Sequence, residues 1–328
     1  MSNITIPGNR KQDSNLAKTL ISFAKSQLIL FHSRKKFAFL YCLATVSGLF
    51  GIPGVLAATS DVDISTIARN TLPLPIASLL VTAGTYILND LVDVDLDRAN
   101  RKKRPIPSGT VSKKQAGIFV LLTFGTAIVL TTITFSLISI TILTLMLLIG
   151  TAYSAPKIAL MRRFVIKTAS IASFYILCAL LGITSTYNID IAIDRPAQVA
   201  SILLTLALMV FISSTLNDLG DIAGDKVAKR RTIPIVIGEE RTIRLTLILA
   251  ASVLCVIWAF YAASLARVHE ASTLSAFTTT AITLIVMSTL LRMRKGLPNA
   301  QFMRKQHQKL FPLQMALHPS LILGLAMT

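Results

Sequence analysis

The chain contains 328 residues, of which 53% are hydrophobic and only 15% are charged. Soluble domains carry about 25% charged residues, so this composition argues against a soluble globular protein. The net charge of +18 is compatible with nucleic-acid binding, but the basic residues lie between long apolar segments, as is typical of membrane proteins. We therefore expect a membrane protein without a nucleic-acid partner.

The N-terminal part of the chain precedes the first apolar segment. Residues 1–18 are polar, and residues 19–31 have the pattern of an amphipathic helix that lies on the membrane surface. We predict a single domain in which residues 1–34 form a cytoplasmic N-terminal segment and residues 35–328 form a transmembrane bundle.

Long segments without charged residues follow, and they predict membrane-spanning helices. About 20 apolar residues are needed to cross a bilayer, and a helix satisfies its backbone groups where no water is present. In chain order the segments are 37–60, 70–89, 115–156, 168–189, 196–217, 245–266, 271–291 and 310–328. Segment 115–156 is long enough for two helices with a turn near 131–136. The prediction is an all-α membrane protein with nine transmembrane helices.

The basic residues indicate how these helices are oriented. With nine spans and a cytoplasmic N-terminus, 30 of the 33 Lys and Arg residues fall in cytoplasmic segments, and only Arg69, Arg195 and Arg267 do not. Cytoplasmic loops of membrane proteins are enriched in Lys and Arg. The distribution therefore predicts a multi-pass protein of the cell membrane whose N-terminus is cytoplasmic.

An internal repeat appears at the ends of predicted spans 2 and 6. Residues 89–97 read NDLVDVDLD and residues 217–225 read NDLGDIAGD; RPIP at 104–107 is echoed by RTIP at 231–234. We predict a bundle of two four-helix repeats plus one helix, related about an axis along the membrane normal. Both acidic motifs would then face each other at the cytoplasmic surface.

The acidic motifs have the spacing of a polar helix face, because residues four apart lie along one stripe. Asn89, Asp93 and Asp97 form the first stripe, with Asp90 beside it as a supporting residue; Asn217, Asp221 and Asp225 form the second, supported by Asp218. Clustered carboxylates near a membrane are unfavourable unless a cation offsets them.

Carboxylate and amide oxygens are ligands that suit Mg²⁺, which commonly bridges one or two carboxylates to substrate phosphates. We therefore predict Mg²⁺ as the cofactor, held on either side of a diphosphate. The predicted metal ligands are Asn89, Asp93, Asp97, Asp221 and Asp225, and Asn89 and Asn217 are also assigned to the diphosphate. The alternative is that the aspartates form interfacial salt bridges with Arg98, Arg101, Lys102, Lys226 and Lys229.

The loop after predicted span 4 supplies two further candidates. Tyr153 and Lys157 stand at the end of that span, and a phenol hydroxyl and an ammonium group both donate to phosphate. Alternatively, they only anchor the protein at the membrane interface, where Tyr and Lys are common. Beside the two acidic motifs, we predict that both bind the diphosphate.

With these motifs, the chain resembles the UbiA superfamily of intramembrane prenyltransferases. Asn89, Asp93 and Asp97 match its NxxxDxxxD motif, Asp221 and Asp225 match DxxxD, and Tyr153 and Lys157 match YxxxK. The resemblance implies that Arg34 and Lys102 also contact the diphosphate. It further implies that loops 98–112 and 226–238 cap the site.

The resemblance also implies the chemistry. Asp93, Asp97, Asp221 and Asp225 are the expected catalytic residues, and with Mg²⁺ they would ionise an isoprenyl diphosphate donor. The motif surroundings are most like the archaeal branch that makes digeranylgeranylglyceryl phosphate, so geranylgeranylglyceryl phosphate is the expected acceptor in ether-lipid biosynthesis. Arg34, Lys35 and Lys36 are candidates to bind its phosphate, or they only set topology. The alternatives are an aromatic acceptor such as 4-hydroxybenzoate, a UbiA-type terpene cyclase, and a non-enzymatic transporter.

Overall fold

The computed structural model describes residues 9–52, 63–99, 103–185, 189–265 and 273–326, and all regular secondary structure in these ranges is helical. The helices of the first half are α1 (Asn9–Phe50), α2 (Ile64–Thr71), α3 (Pro73–Val92), α4 (Val94–Ala99), α5 (Lys113–Thr132) and α6 (Leu137–Ser154). A 3-10 turn (Leu160–Arg162) separates them from α7 (Ile166–Ile183), α8 (Ile189–Asp194), α9 (Pro196–Val227), α10 (Ile233–Ile237), α11 (Glu239–Leu265), α12 (Thr273–Lys295) and α13 (Ala300–Ala326).

Seven helical segments in the described ranges are long and apolar enough to cross a membrane. The first of them, Ile64–Val92, combines α2 and α3, and the others are α5, α6, α7, α9, α11 and α12. The all-α membrane architecture is therefore confirmed. Helices α1 and α13 are not among the seven, so a count of nine crossings stays a prediction.

The first helix is longer than the apolar segment predicted near it. Helix α1 is continuous over 42 residues, which corresponds to about 63 Å at 1.5 Å per residue. The segment 19–31, predicted to lie on the membrane surface, is part of this same helix. Residues 53–60 of the first predicted span lie outside the described residues.

The predicted division of segment 115–156 is found at residues 133–136. Helix α5 begins with a capping box between Ser112 and Gln115 and ends at Thr132. The side chain of Ser136 accepts a hydrogen bond from the backbone of Ser139 and so caps the N-terminus of α6. Such caps satisfy backbone donors that have no partner within the helix.

The core is built from close helix packing, especially between α1 and α7. A Cβ atom on Gly48 would clash with the carbonyl of Ala179, and one on Gly182 would clash with the carbonyl of Thr45. Small residues allow this approach in membrane proteins, where helices associate through packing rather than through the hydrophobic effect. Residues from within α1 and α13, from the middle and C-terminal part of α9 and from the ends of α3, α6 and α7 surround one polar cavity.

Candidate active site

The polar cavity has a volume of about 250 Å³ and contains residues of both acidic motifs in its wall. Its lining residues are Arg34, Phe37, Leu40, Tyr41, Tyr86, Asn89, Asp93, Arg104, Tyr153, Lys167, Ile171, Val210, Ser213, Ser214, Asn217, Asp218, Asp221, Asp225, Arg230, His307 and Gln314. The predicted convergence of the two motifs therefore holds in the described structure.

The first motif divides between the cavity wall and the interior behind it. Helix α3 ends at Val92, Asp93 has non-helical backbone angles (φ −90°, ψ 9°), and α4 starts at Val94. Asn89 and Asp93 line the cavity, whereas Asp90 and Asp97 do not. The interruption at Asp93 means that the motif does not form the uninterrupted helical stripe that its spacing predicts.

Asp90 and Asp97 instead hold two arginines that line the cavity. The Nε atom of Arg34 donates to Asp90 at 2.8 Å, and Arg104 donates to Asp90 at 2.7 Å and also to Asp97. The side chains of Asp90 and Asp97 are 1% and 0% exposed. These buried carboxylates therefore fix the direction of both guanidinium groups in the described structure.

The second motif lies wholly within α9, and three of its carboxylates have basic partners. The ammonium group of Lys167, on α7, donates to the buried Asp218. Arg304, on α13, lies 3.2 Å from Asp221 and donates through Nε to the Gly220 carbonyl at 2.8 Å. Asn217 is exposed on the cavity wall.

Arg230 connects the two motifs. Its guanidinium donates to Asp93 and lies 3.6 Å from Asp225. Burial favours the neutral form of this group, but Asp93 and Asp225 outweigh that effect and hold the pKa of Arg230 above its ordinary value. The guanidinium therefore stays charged at the centre of the site.

The charges on the cavity wall are balanced. Four carboxylates and four basic side chains line it: Asp93, Asp218, Asp221 and Asp225 against Arg34, Arg104, Lys167 and Arg230. Isolated buried charges are costly, whereas paired ones are tolerated. Within this wall Arg230 is held by Asp93 and Asp225 and Lys167 by Asp218. Arg34 and Arg104 are held by Asp90 and Asp97, which do not line the cavity.

Of the remaining predicted site residues, some line the cavity and others do not. Tyr153 lines the cavity, and the Asn89 amide donates to Ser154 at 3.3 Å and contacts the sulfur of Met161 at 3.2 Å. Lys157 is exposed on the turn after α6 and is not part of the cavity wall. Lys102 lies outside the described residues.

An apolar pocket adjoins the polar cavity between α3, α6 and α7. Its volume is about 100 Å³, and it shares Tyr41, Tyr86, Asn89, Tyr153 and Ile171 with the cavity. The rest of its wall consists of Thr82, Thr85, Ile149, Gly150, Ser170 and Phe174. A charged head group in the cavity could therefore continue into an apolar tail in this pocket.

The sequence profile of the UbiA prenyltransferase family matches residues 38–311. The chain belongs to this family. It is 28% identical over 204 residues to digeranylgeranylglyceryl phosphate synthase of Methanoculleus marisnigri, over 61% of this chain and 66% of that protein. It is 30% identical over 192 residues to homogentisate phytyltransferase of Synechocystis sp., over 57% of this chain and 62% of that protein. The matches thus span about two thirds of these relatives.

Solved structures show the same UbiA fold. The UbiA homolog from Archaeoglobus fulgidus bound to GPP and Mg²⁺ has a TM-score of 0.60 and 15% identity, over 90% of this chain and 99% of that chain. A structure concerned with digeranylgeranylglyceryl phosphate synthase in membranes has a TM-score of 0.61 and 18% identity, over 93% of this chain and 99% of that chain. At these identities the likeness concerns the fold alone.

The carboxylates of this UbiA family member fit a magnesium ion that is bound together with its substrate. No three His, Cys, Asp or Glu side chains within the described ranges come together as a complete metal site. Mg²⁺ does not need one, since one or two carboxylates plus substrate phosphates and water commonly suffice. Asp218 lines the cavity, and its Oδ2 atom is buried without a hydrogen-bond partner among the described residues, as expected beside a site that takes up a cation.

The sequence analysis did not identify three basic residues of the site, namely Arg104, Lys167 and Arg230. Of the local salt bridges that it considered, those of Arg101 and Lys102 lie outside the described residues, and Arg98 pairs with the exposed Asp95 at 3.5 Å. The repeated segments RPIP and RTIP could have indicated two of them: Arg104 is the first residue of RPIP, and Arg230 directly precedes RTIP. Lys167 carried no such signal, because it stands alone at the start of an apolar segment.

Proposed function

We propose that this UbiA family member is a Mg²⁺-dependent prenyltransferase that transfers the geranylgeranyl group of geranylgeranyl diphosphate to geranylgeranylglyceryl phosphate. The observation that carries this proposal is the single cavity into which both acidic motifs project, beside an apolar pocket. The cavity suits a diphosphate and the pocket suits the first part of an isoprenyl chain. Ether-lipid biosynthesis is the corresponding pathway.

The donor diphosphate would be held by the basic residues of the wall. Arg34 and Arg104 are oriented by Asp90 and Asp97, while Lys167 and Arg230 would exchange their carboxylate partners for phosphate oxygens. Guanidinium groups form strong, charge-assisted hydrogen bonds to phosphate. Asn89, Asn217 and Tyr153 line the same cavity as further contacts, and Lys102 and Lys157 remain candidates from the family motifs.

The exchange at Arg230 would release Asp93 and Asp225, and both would become available as metal ligands. Asp93, Asp221 and Asp225 line the cavity and would hold Mg²⁺ with Asn89, while Asp97 would act through Arg104. When bound, Mg²⁺ neutralises the charge that develops on the departing diphosphate. The apolar pocket and the aromatic side chains around it exclude water from the allylic carbon, which would otherwise be hydrolysed.

A lipid acceptor is favoured by a second apolar feature. A crevice between α9, α12 and α13 shares Ser213 and Gln314 with the cavity and is otherwise lined by apolar side chains: Met209, Ile212, Ile282, Val286, Leu310, Leu313 and Leu317. Its volume of about 10 Å³ must increase to admit a chain. Its position suits an acceptor with a polar head and an apolar body.

An aromatic acceptor is the second candidate. The observation that favours it is the similarity to homogentisate phytyltransferase of Synechocystis sp.. An aromatic acid such as 4-hydroxybenzoate would also use the basic wall of the cavity. A cyclase or a transporter would need no acceptor site, and the carboxylates here lie at helix ends rather than midway along them, unlike those expected in a transporter.

We propose nine membrane crossings for this activity, with α1 and α13 added to the seven apolar segments. Helices α1, α3, α5 and α6 would form the first repeat, α7, α9, α11 and α12 the second, and α13 the ninth crossing. The protein would lie in the cell membrane, with its N-terminus and active-site loops on the cytoplasmic side. The 30-to-3 division of basic residues supports this orientation.

The test is a competition between acceptors. The protein in lipid nanodiscs receives geranylgeranyl diphosphate, Mg²⁺ and equal amounts of geranylgeranylglyceryl phosphate and 4-hydroxybenzoate. We expect diphosphate release and a digeranylgeranyl ether as the dominant product. Prenylated benzoate as the main product would instead assign the aromatic acceptor. Diphosphate release with a cyclised hydrocarbon would assign a cyclase, and no release would contradict a prenyltransferase.

A further inference from the structure

One part of the cavity wall is not accounted for by the donor. The donor's diphosphate is assigned to the basic residues, and its chain to the pocket between α3, α6 and α7. Ser213 and Ser214 on α9, together with His307 and Gln314 on α13, also line the cavity but not that pocket. These four side chains are polar and uncharged or weakly basic, so they suit a neutral hydroxyl better than a phosphate.

His307 is the histidine of this wall, and its contacts differ from those of the other described histidines. Its Nε2 atom lies 3.2 Å from the hydroxyl of Ser213. His318 is fully buried, with Nδ1 at 2.8 Å from Ser47 and Nε2 at 2.6 Å from Tyr175, and it does not line the cavity. His32 is exposed on α1, away from the cavity.

The other titratable groups of the wall have different roles. The four lining carboxylates are assigned to cations, and the four basic side chains are assigned to the donor's diphosphate. A hydroxyl nucleophile must lose its proton when its oxygen forms a bond to carbon, and a positioned imidazole is the most common group to accept it. Ser213 can yield its place beside His307 Nε2 to a substrate hydroxyl when its side chain turns to another staggered χ1 rotamer, which moves the oxygen away.

We propose that the wall formed by Ser213, Ser214, His307 and Gln314 is the acceptor subsite, and that His307 Nε2 receives the proton of the acceptor hydroxyl. This inference rests on the proposed function. The bond between C1 of the donor and the diphosphate oxygen breaks, and the electron pair leaves with diphosphate. The acceptor oxygen forms the new bond to C1, and its proton passes to His307. The products are the ether, diphosphate and protonated His307, which returns its proton to solvent.

The decisive variant is His307→Gln, which keeps a hydrogen-bonding group beside Ser213 but cannot accept a proton at neutral pH. We expect kcat for transfer to fall about 10²- to 10⁴-fold, the usual contribution of a general base. Binding of a non-hydrolysable geranylgeranyl thiodiphosphate with Mg²⁺ should be unchanged, because the donor contacts are intact. His32→Gln is the matched control and should behave as the native protein does.

A second variant tests the subsite without removing the base. Gln314→Leu should raise the KM for the acceptor and leave the KM for the donor unchanged, since Gln314 lines the cavity but not the donor pocket. A rise in the donor KM instead would assign this wall to the donor and overturn the proposal.

The possible results separate the two proposals. A His307→Gln protein that transfers within about threefold of the native rate would overturn the role of His307, as would a loss of donor-analogue binding in that variant. If the native protein neither releases diphosphate nor prenylates any acceptor, the proposed function fails and the acceptor subsite fails with it. If the native protein transfers the prenyl group and the His307→Gln variant does so equally well, the proposed function is kept and the role of His307 is rejected.

Discussion

Gly48 in α1 and Gly182 in α7 form a reciprocal contact, in which each lies against the carbonyl three residues before the other. Equal spacing on both sides is what a two-fold relation between two helices produces. Because α1 and α7 would be the first helices of the two proposed repeats, the contact supports that arrangement. It also makes both glycines sensitive positions.

Gly182→Ala is predicted to destabilise the protein, because the added Cβ would meet the backbone carbonyl of Thr45, which cannot move aside as a side chain can. We expect a loss of about 1–3 kcal/mol, typical of overpacking, seen as a lower Tm in detergent. Gly117→Ala in α5 is the control, since no atom lies within 4 Å of a Cβ there. Equal Tm values for both variants would contradict the close contact.

Lys167→Met is predicted to destabilise the protein because it leaves Asp218 buried beside no cation. Removing one partner of a buried pair costs about 3–5 kcal/mol. The double variant Lys167→Met/Asp218→Leu removes both charges and should regain most of the lost stability while remaining inactive. The measurement is thermal unfolding combined with transfer activity. A double variant as unstable as the single one would show that the ion pair is not the source of the effect.

The carboxylates of the two motifs are predicted to be essential for catalysis. Asp93→Ala and Asp221→Ala should each reduce transfer by about 10²-fold or more, and the double variant should be inactive. EDTA should abolish activity and Mg²⁺ should restore it. Asp95→Ala is the matched control, since Asp95 belongs to the first motif but its side chain is 86% exposed and, among the described residues, pairs with Arg98. Substantial turnover by the double variant would disprove the metal mechanism.

Single cysteines are predicted to report the orientation of the bundle. In a background without Cys42, Cys178 and Cys255, cysteines at Ser108 and Lys229 should react with a membrane-impermeant reagent only from the cytoplasmic side. A cysteine at Asp63 should react only from the opposite side. All three positions are exposed, whereas Thr232 in the same loop as Lys229 is 1% exposed and unsuitable. Reaction of Ser108 and Lys229 from opposite sides would refute the facing motifs.

The helical membrane fold could be predicted because each long apolar segment is a local property of the sequence. The convergence of Asp93 and Asp225 could be predicted because the repeat itself implies it. The interior partners could not, since Arg34, Lys167 and Arg304 reach their carboxylates from helices distant in sequence. A stripe of aspartates indicates that positive charge lies nearby, but it does not identify the basic side chains that provide it.

Helix boundaries were also difficult to predict from the sequence, as the N-terminal part of α1 and the first acidic motif show. The charge pattern separates residues 19–31 from the first span, yet a helix continues across charged residues as readily as across apolar ones. Conversely, the spacing of Asn89, Asp93 and Asp97 predicts one helical stripe, but the backbone turns at Asp93. Helical hydrogen bonding resumes directly after this turn, since the backbone N–H of Asp97 donates to the carbonyl of Asp93 at 2.8 Å.

Because the backbone turns at Asp93, the first acidic motif has more conformational freedom than the second. On one side, Asp93 stands at a joint between two helices, and the segment beyond it carries Arg104 back to Asp90 and Asp97. On the other side, Asp221 and Asp225 belong to a helix of 32 residues without interruption. When a ligand replaces the ion pairs between the motifs, the jointed side can adjust by rotating a few backbone bonds. Helix α9 has no such break, so Asp221 and Asp225 can move only if the whole helix moves. We therefore expect most of the adjustment to a ligand to occur on the side of Asp93.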